Sequence, residues 1–421
     1  MATFNGTSGN DVLPPPGGDN SGDDSFFGFD GDDVMHGGLG NDSLDAGSGN
    51  DTLYGDDGDD FLNGGADNDR LFGGNGNDSL DGGGGNDVLD GGVGADNMVG
   101  NFGNDTYYVD NVGDTITEFS ASDGVDTVYS SVTYTLSQFV DNLILTGSAN
   151  LDGTGNGGDN KLTGNSGANQ LWGLDFNDIL NGGAGADHMF GGTGNDTYYV
   201  DNAGDVVDET GGDGIDKVVS SRTFNLASAS VIGQVENLTL SGSANLNGTG
   251  NSLNNLITGN AGNNVLNSGN GDDSLVGGAG NDSLNGGAGN DKLNGGAGND
   301  TLIGGTGADS LTGGLDADSF FYQSTAQSTV ALTGRDTVMD FSSAEGDKID
   351  VSTIDANSTL AGNQAFTFIG AAAFSNTAGE LRAEVISGNT LISADINGNG
   401  VADFSVLVKG VTSMTSGDFI L

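Results

Sequence analysis

A chain of 421 residues with 80 glycines, 3 prolines, no cysteine and a formal net charge of -51 excludes several protein classes at once. Glycine is far above the usual ~7 %, but so little proline rules out collagen, and without cysteine there is no disulfide framework or thiolate metal site. With 9 lysines and arginines against 60 acids, no basic groove for phosphates can be built, so nucleic acid is not an expected partner. The acids are 54 aspartates and only 6 glutamates. A solvated acidic surface would use both, whereas short carboxylates among glycines point to turns or cations. Low hydrophobicity with high net charge is also the composition of a disordered tail, a reading that the order of the residues removes.

Residues 1–13 carry no basic stretch and no apolar run, so no cleaved signal peptide is expected at this end. No segment reaches the ~18 apolar residues of a membrane span. After an outlying copy at Asp11 and an insertion containing Pro14, Pro15 and Pro16, a period of nine sets in. Asp24, Asp33, Asp42, Asp51, Asp60, Asp69, Asp78, Asp87, Asp96 and Asp105 follow one another at that spacing, in units such as GGLGNDSLD (37–45) and GGNGNDSLD (73–81). This first array occupies 1–108. Residues 109–156 lose the period and carry β-type runs such as DTVYSSVTYTL (126–136) and DNLILTG (141–147), rich in Val, Thr, Tyr and Ile.

A second array, 157–199, has Asn160 and Asn169 in the acidic slot, then Asp178, Asp187 and Asp196. Residues 200–250 repeat the intermediate segment: NDTYYVDNAGDVVDET from 195 echoes NDTYYVDNVGDTITEF from 104, and GSANLNGTGN echoes GSANLDGTGN. The third array, 251–321, runs through Asn255, Asn264, Asp273, Asp282, Asp291, Asp300, Asp309 and Asp318. Each array ends on an aromatic pair, Tyr107-Tyr108, Tyr198-Tyr199 and Phe320-Phe321, expected to act as large core plugs.

The unit Gly-Gly-x-Gly-x-Asp-x-apolar-x dictates a fold. Its first six positions are too rich in glycine for regular structure, so the expectation is a strand over the last three, with one side chain inward. Two units make one coil. Successive coils stack ~4.8 Å apart as parallel sheet, filled by Leu44, Leu53, Leu62, Leu71, Leu80, Leu89 and Met98, and the intermediate segments are wider rungs of the same solenoid. Stacked coils also stack aspartates, at separations where like charges repel unless a cation neutralises them. Calcium meets that need, since it takes six to eight oxygens from carboxylates and carbonyls alike. His36 and His188 are too few for a transition-metal site and are read as incidental.

The tandem nonapeptide resembles the RTX (repeats-in-toxin) family of calcium-binding, type I-secreted proteins of Gram-negative bacteria, across most of residues 6–321. The resemblance implies an all-β parallel β-roll in which the sixth-position aspartates, from Asp24 to Asp318, bind calcium jointly with backbone carbonyls of the glycine loops. Asn160, Asn169, Asn255 and Asn264 depart from the pattern, and their units are expected to bind calcium weakly or to use side-chain hydrogen bonds. On the order of a dozen ions are then expected. Residues 322–421 are similar to the C-terminal secretion domain of serralysin-type proteases, and the ending DFIL to an uncleaved export signal read by a type I secretion apparatus. Within this region Asp395, Asn397, Asn399 and Gly400 match the start of an EF-hand loop, but Val406 stands where a bidentate Glu belongs, and a β-hairpin turn is the favoured reading.

No enzyme is expected. There is no H-E-x-x-H for a metalloprotease and no G-x-S-x-G for a lipase, and calcium ligation accounts for the abundant aspartates. The favoured function is a secreted structural protein that folds on extracellular calcium and self-assembles at the cell surface as an S-layer-like sheet or a filament. The alternatives are a secreted adhesin or host-interaction factor, and a carrier or polysaccharide-binding region of a secreted enzyme.

Overall fold

Each strand in the arrays begins one residue after a sixth-position aspartate or asparagine, and most run for six residues, although Lys161–Thr163 and Ile179–Asn181 have only three. In the computed structural model, which describes residues 2–14 and 20–421, consecutive strands are Ser43–Ser48, Thr52–Asp57, Phe61–Ala66, Arg70–Asn75 and Ser79–Gly84. Pro15 and Pro16 of the insertion lie outside the described residues. The strands are thus longer than the three residues expected, because they take in the first two glycines of the next unit. Alternation explains why this works: the second and fourth residues of each strand point inward. In Phe61–Ala66 these are Leu62 and Gly64, both buried. The loop shrinks to the three residues that end in the aspartate.

The chain divides into two compact units, residues 1–215 and 216–421. In the first, every pairing within the array is parallel and joins strands two units apart, as Leu44 to Leu62, Leu62 to Leu80, Leu53 to Leu71 and Leu71 to Leu89. Odd and even strands therefore fall into two facing sheets, and two nonapeptides complete one coil. The leucines from Leu44 to Leu89, together with Met98, are fully buried. Each contributes about 1.5–3 kcal/mol by leaving water. The parallel ladder continues through the aperiodic segment, with Tyr107 beside Val128, Val128 beside Leu143 and Leu143 beside Leu162.

The second unit repeats the construction. One ladder runs Leu238, Ile257, Leu275, Leu293, Leu311, Val338. The facing one runs Leu266, Leu284, Leu302, Phe320, Ile349 and ends on Phe419. Beyond the repeats an antiparallel meander forms from Glu380–Ile386, Asn389–Asp395 and Phe404–Val408. Its last strand lies parallel to Thr337–Val338, so it extends the edge of one solenoid sheet. Asp395 ends the middle strand as a turn residue: its Oδ1 accepts the Gly398 amide and its Oδ2 the Gly400 amide, each at 2.7 Å. Among the described residues the only helices are the single 3-10 turns Leu332–Gly334 and Ser416–Asp418. The protein is an all-β parallel solenoid of the β-roll kind.

Candidate metal centre

Every sixth-position aspartate from Asp24 to Asp318 is buried. The loop that carries it is too short to let the side chain reach solvent, and its two oxygens have different fates. Oδ1 accepts the backbone amide of the aspartate one coil earlier: the Asp33 amide donates to Asp51 at 2.6 Å, Asp51 to Asp69 at 2.8 Å, Asp60 to Asp78 at 2.8 Å and Asp282 to Asp300 at 2.7 Å. The fifth-position residue forms a mirror ladder on the outside. Asn50 accepts the Asn68 amide at 3.2 Å and Asn68 the Asn86 amide at 2.7 Å, so neighbouring coils are stapled in both directions.

Oδ2 is the oxygen left over. In Asp33, Asp42, Asp51, Asp60, Asp69, Asp78, Asp87, Asp96 and Asp105 it is buried with no hydrogen-bond donor, as it is in Asp178, Asp187, Asp273, Asp282, Asp291, Asp300, Asp309 and Asp318. It points toward the first glycine of its own unit and a carbonyl of the next coil. A Cβ placed on Gly37 would lie 2.6 Å from the Gly55 carbonyl oxygen and 2.7 Å from Asp42 Oδ2. Carboxylate and carbonyl lone pairs thus converge on one space with no proton between them.

Leaving such groups unpaired costs several kcal/mol each, and the side chains register this. Burial, reinforced by the neighbouring Asp78 and Asp42 carboxylates, pushes Asp60 up to about 7 against the counteracting Asp42 amide. Burial with Asp87 and Asp51 nearby pushes Asp69 up to about 8. A hard cation with oxygen ligands fits this donor set, and neither cysteine nor histidine takes part. Such an ion would be held by an Oδ2 and loop carbonyls, and would supply the positive charge that the coil edges lack.

The asparagine units solve the same problem with protons. Asn169 Nδ2 donates to the Leu151 carbonyl at 2.7 Å while its Oδ1 accepts the Asn165 amide at 2.8 Å. Asn264 does the same with the Leu246 carbonyl and the Asn260 amide, each at 2.8 Å. Asn160 and Asn255 follow, donating to the Val140 and Glu236 carbonyls at 3.1 and 2.9 Å.

The aspartate ladder also runs past the periodic arrays: Asp114 and Asp205 keep the spacing of nine after Asp105 and Asp196, and Asp336 lies two such spacings beyond Asp318, whereas Asp126 and Asp347 fall off it. Asp114, Asp126, Asp205, Asp336 and Asp347 accept the amides of Asp96, Asp105, Asp187, Asp309 and Asp318 at 2.8–3.2 Å. Each also begins Asp-x-apolar, as in Asp126-Thr127-Val128 and Asp336-Thr337-Val338, but without the full Gly-Gly-x-Gly lead of the repeats.

The aromatic pairs need a correction. Tyr107, Tyr198 and Phe320 are buried plugs, but Tyr108 and Tyr199 are 43 % and 42 % exposed, because adjacent strand residues face opposite sides. The two histidines lie beside single carboxylates, His36 Nδ1 at 3.3 Å from Asp56 and His188 Nε2 at 3.2 Å from Asp208, each stacked on an aromatic ring.

The family description "RTX calcium-binding nonapeptide repeat" matches residues within 19–107, 154–207 and 249–320, together more than half of the chain. The protein belongs to this family, whose repeats bind calcium. No curated protein matches the chain. Among the described residues no helix is long and apolar enough to cross a membrane.

Proposed function

We propose that this chain is a secreted, non-enzymatic structural protein whose coils close on calcium outside the cell and which then assembles at the cell surface into a sheet or filament. The observation that carries the reading is the row of buried Oδ2 atoms without donors, repeated along both units. A fold whose edges are lined with such atoms is a poor state without cations and a good one with them. On this reading the sixth-position aspartates are the ligands, with on the order of a dozen ions bound. The formal charge of -51 then belongs to the unfolded, exportable chain. Residues 322–421 are the export region addressed by the type I apparatus. On this reading Phe419–Ile420, which pairs with Lys348–Asp350, joins the solenoid only once folding occurs.

Circular dichroism tests the first half. The expected result is a weak β signal in chelator that rises steeply with millimolar calcium; full β structure in chelator, unchanged by calcium, overturns it. Electron microscopy at millimolar calcium tests the second half. Ordered sheets or fibres support assembly, whereas persistent monomers favour a diffusible adhesin, and binding on a glycan array favours a polysaccharide-binding region.

A further inference from the structure

Where the first array gives way to the aperiodic rungs, the coil edge changes chemistry. Asp105, Glu118 and Asp126 are all buried, and each offers one carboxylate oxygen within 4.8 Å of the others. Their outer oxygens are used: Asp105 Oδ1 accepts the Asp87 amide at 2.7 Å, Asp126 Oδ1 the Asp105 amide at 2.8 Å and Glu118 Oε2 the Asn101 amide at 3.2 Å. Asp105 Oδ2 is left buried and without a donor, in a residue only 1 % exposed. The Tyr107 hydroxyl donates to Glu118 Oε1 and so fixes the glutamate.

Gly100 marks the space into which these groups point. A Cβ there would collide with Tyr107 Oη, Asp105 Oδ2 and Glu118 Oε1 at once. In the repeats the corresponding space is bordered by one carboxylate and a carbonyl, as at Gly37. Here a second carboxylate, carried by a loop glutamate, replaces the carbonyl. The arrangement occurs again in the same unit: a Cβ on Gly191 would collide with Tyr198 Oη, Asp196 Oδ2 and Glu209 Oε1, and Tyr198 donates to Glu209. Two sequence copies, Asp105-x-Tyr107 with Glu118 and Asp196-x-Tyr198 with Glu209, thus build the same pocket.

We propose that Asp105, Glu118 and Asp126 form a closing cation site at the end of the first array's row, which differs from the sites before it in taking calcium through several side-chain carboxylates, with Tyr107 as the positioning residue. More anionic ligands raise affinity for a hard cation. This site therefore fills before the loops and pins the loop that bears Glu118 onto the last coil of the array.

The test is a titration of the full-length protein with terbium, a hard trivalent surrogate for calcium whose emission is sensitised by a tyrosine at the ion. Sensitised emission is expected at the first additions, reversed by excess calcium. Glu118→Gln is expected to remove about half of this early emission, the share of one of two independent sites, and Glu118→Gln with Glu209→Gln nearly all of it. Tyr107→Phe keeps the carboxylates but removes the sensitiser. It should cut early emission by a similar share while the calcium midpoint seen by circular dichroism moves less than in Glu118→Gln. Early emission unchanged in the double glutamine variant, or in Tyr107→Phe, overturns the proposal. These outcomes are separate from those of calcium-driven folding, whose failure would appear as a circular dichroism spectrum indifferent to calcium with the early emission intact.

Discussion

A sixth-position aspartate such as Asp60 gives one oxygen to a backbone amide of the neighbouring coil and keeps the other buried without a donor, and the glycines make that division possible. Gly65 shows the backbone side of the requirement. Its φ is 103°, and an added Cβ would press on the Gly47 carbonyl of the preceding coil. A few units do place larger residues in this slot, among them Asp56 at φ 70° and Leu174 at φ 89°, so the strain is tolerable but not free. Gly84, one position further along its own unit, has nothing within 4 Å of its missing Cβ. Gly65→Ala should therefore destabilise the calcium-loaded protein by about 1–3 kcal/mol, and Gly84→Ala should stay within about 0.5 kcal/mol of the parent. Denaturant unfolding at saturating calcium measures both. Equal costs at the two positions would show that the tight carbonyl approach is not what selects glycine.

At the scale of the element, the coils come in two kinds with different electrostatics. Aspartate coils present a bare oxygen to the loop space, whereas asparagine coils fill it with an amide. Asn165 extends this by donating to the Thr146 and Ala149 carbonyls at 2.9 and 3.0 Å. If the aspartate coils close on calcium as proposed, the stretch around Asn160 and Asn169, satisfied by its own hydrogen bonds, holds without it. Solenoids unfold coil by coil when neighbouring coils differ in stability. Hydrogen exchange in chelator should find the amides of Asn156, Asn165 and Gly167 more protected than those of Asp51, Asp60 and Asp69, and calcium should erase the difference. Uniform exchange across both stretches in chelator would refute this division.

For the whole molecule, the ladder predicts an unusual response to acid. Burial raises Asp60, Asp69 and Asp178 to about 7, 8 and 8 in the folded chain, from the ordinary value of 3.8. A raised folded pKa means that the native state holds protons which the unfolded state has released. The stabilisation is fully present below the ordinary carboxylate value, declines as pH rises above it and is lost once pH has passed through about 7–8. In chelator, then, β structure should grow as pH falls from about 8 toward about 5, protons standing in for calcium. With calcium present, acid should instead expel the ion by competition. Circular dichroism against pH under the two conditions measures both branches. A β signal in chelator that declines on acidification would contradict the buried-carboxylate account.

The period of nine was enough to read the solenoid, two units per coil, the inward leucines and the aspartate row, because a tandem repeat forces every unit into the same local solution. The sequence likewise placed asparagine in the acidic slot and anticipated its hydrogen bonds. Strand length was misjudged, since glycine content alone suggests loop; only the stacked neighbours make an inward Gly64 a useful strand residue. The exposure of Tyr108 was missed for a related reason, as the facing of adjacent residues follows from the strand and not from aromatic content. Beyond the repeats, where the Gly-Gly-x-Gly lead is lost, Asp126 and Asp347 carry no periodic mark. Their membership in the ladder depends on which coil lies beneath them. Local chemistry repeated at fixed spacing is determined by sequence alone, whereas contacts made across coils of unequal length, such as those joining Asp105, Glu118 and Asp126, are decided only when the chain has turned far enough to bring them together.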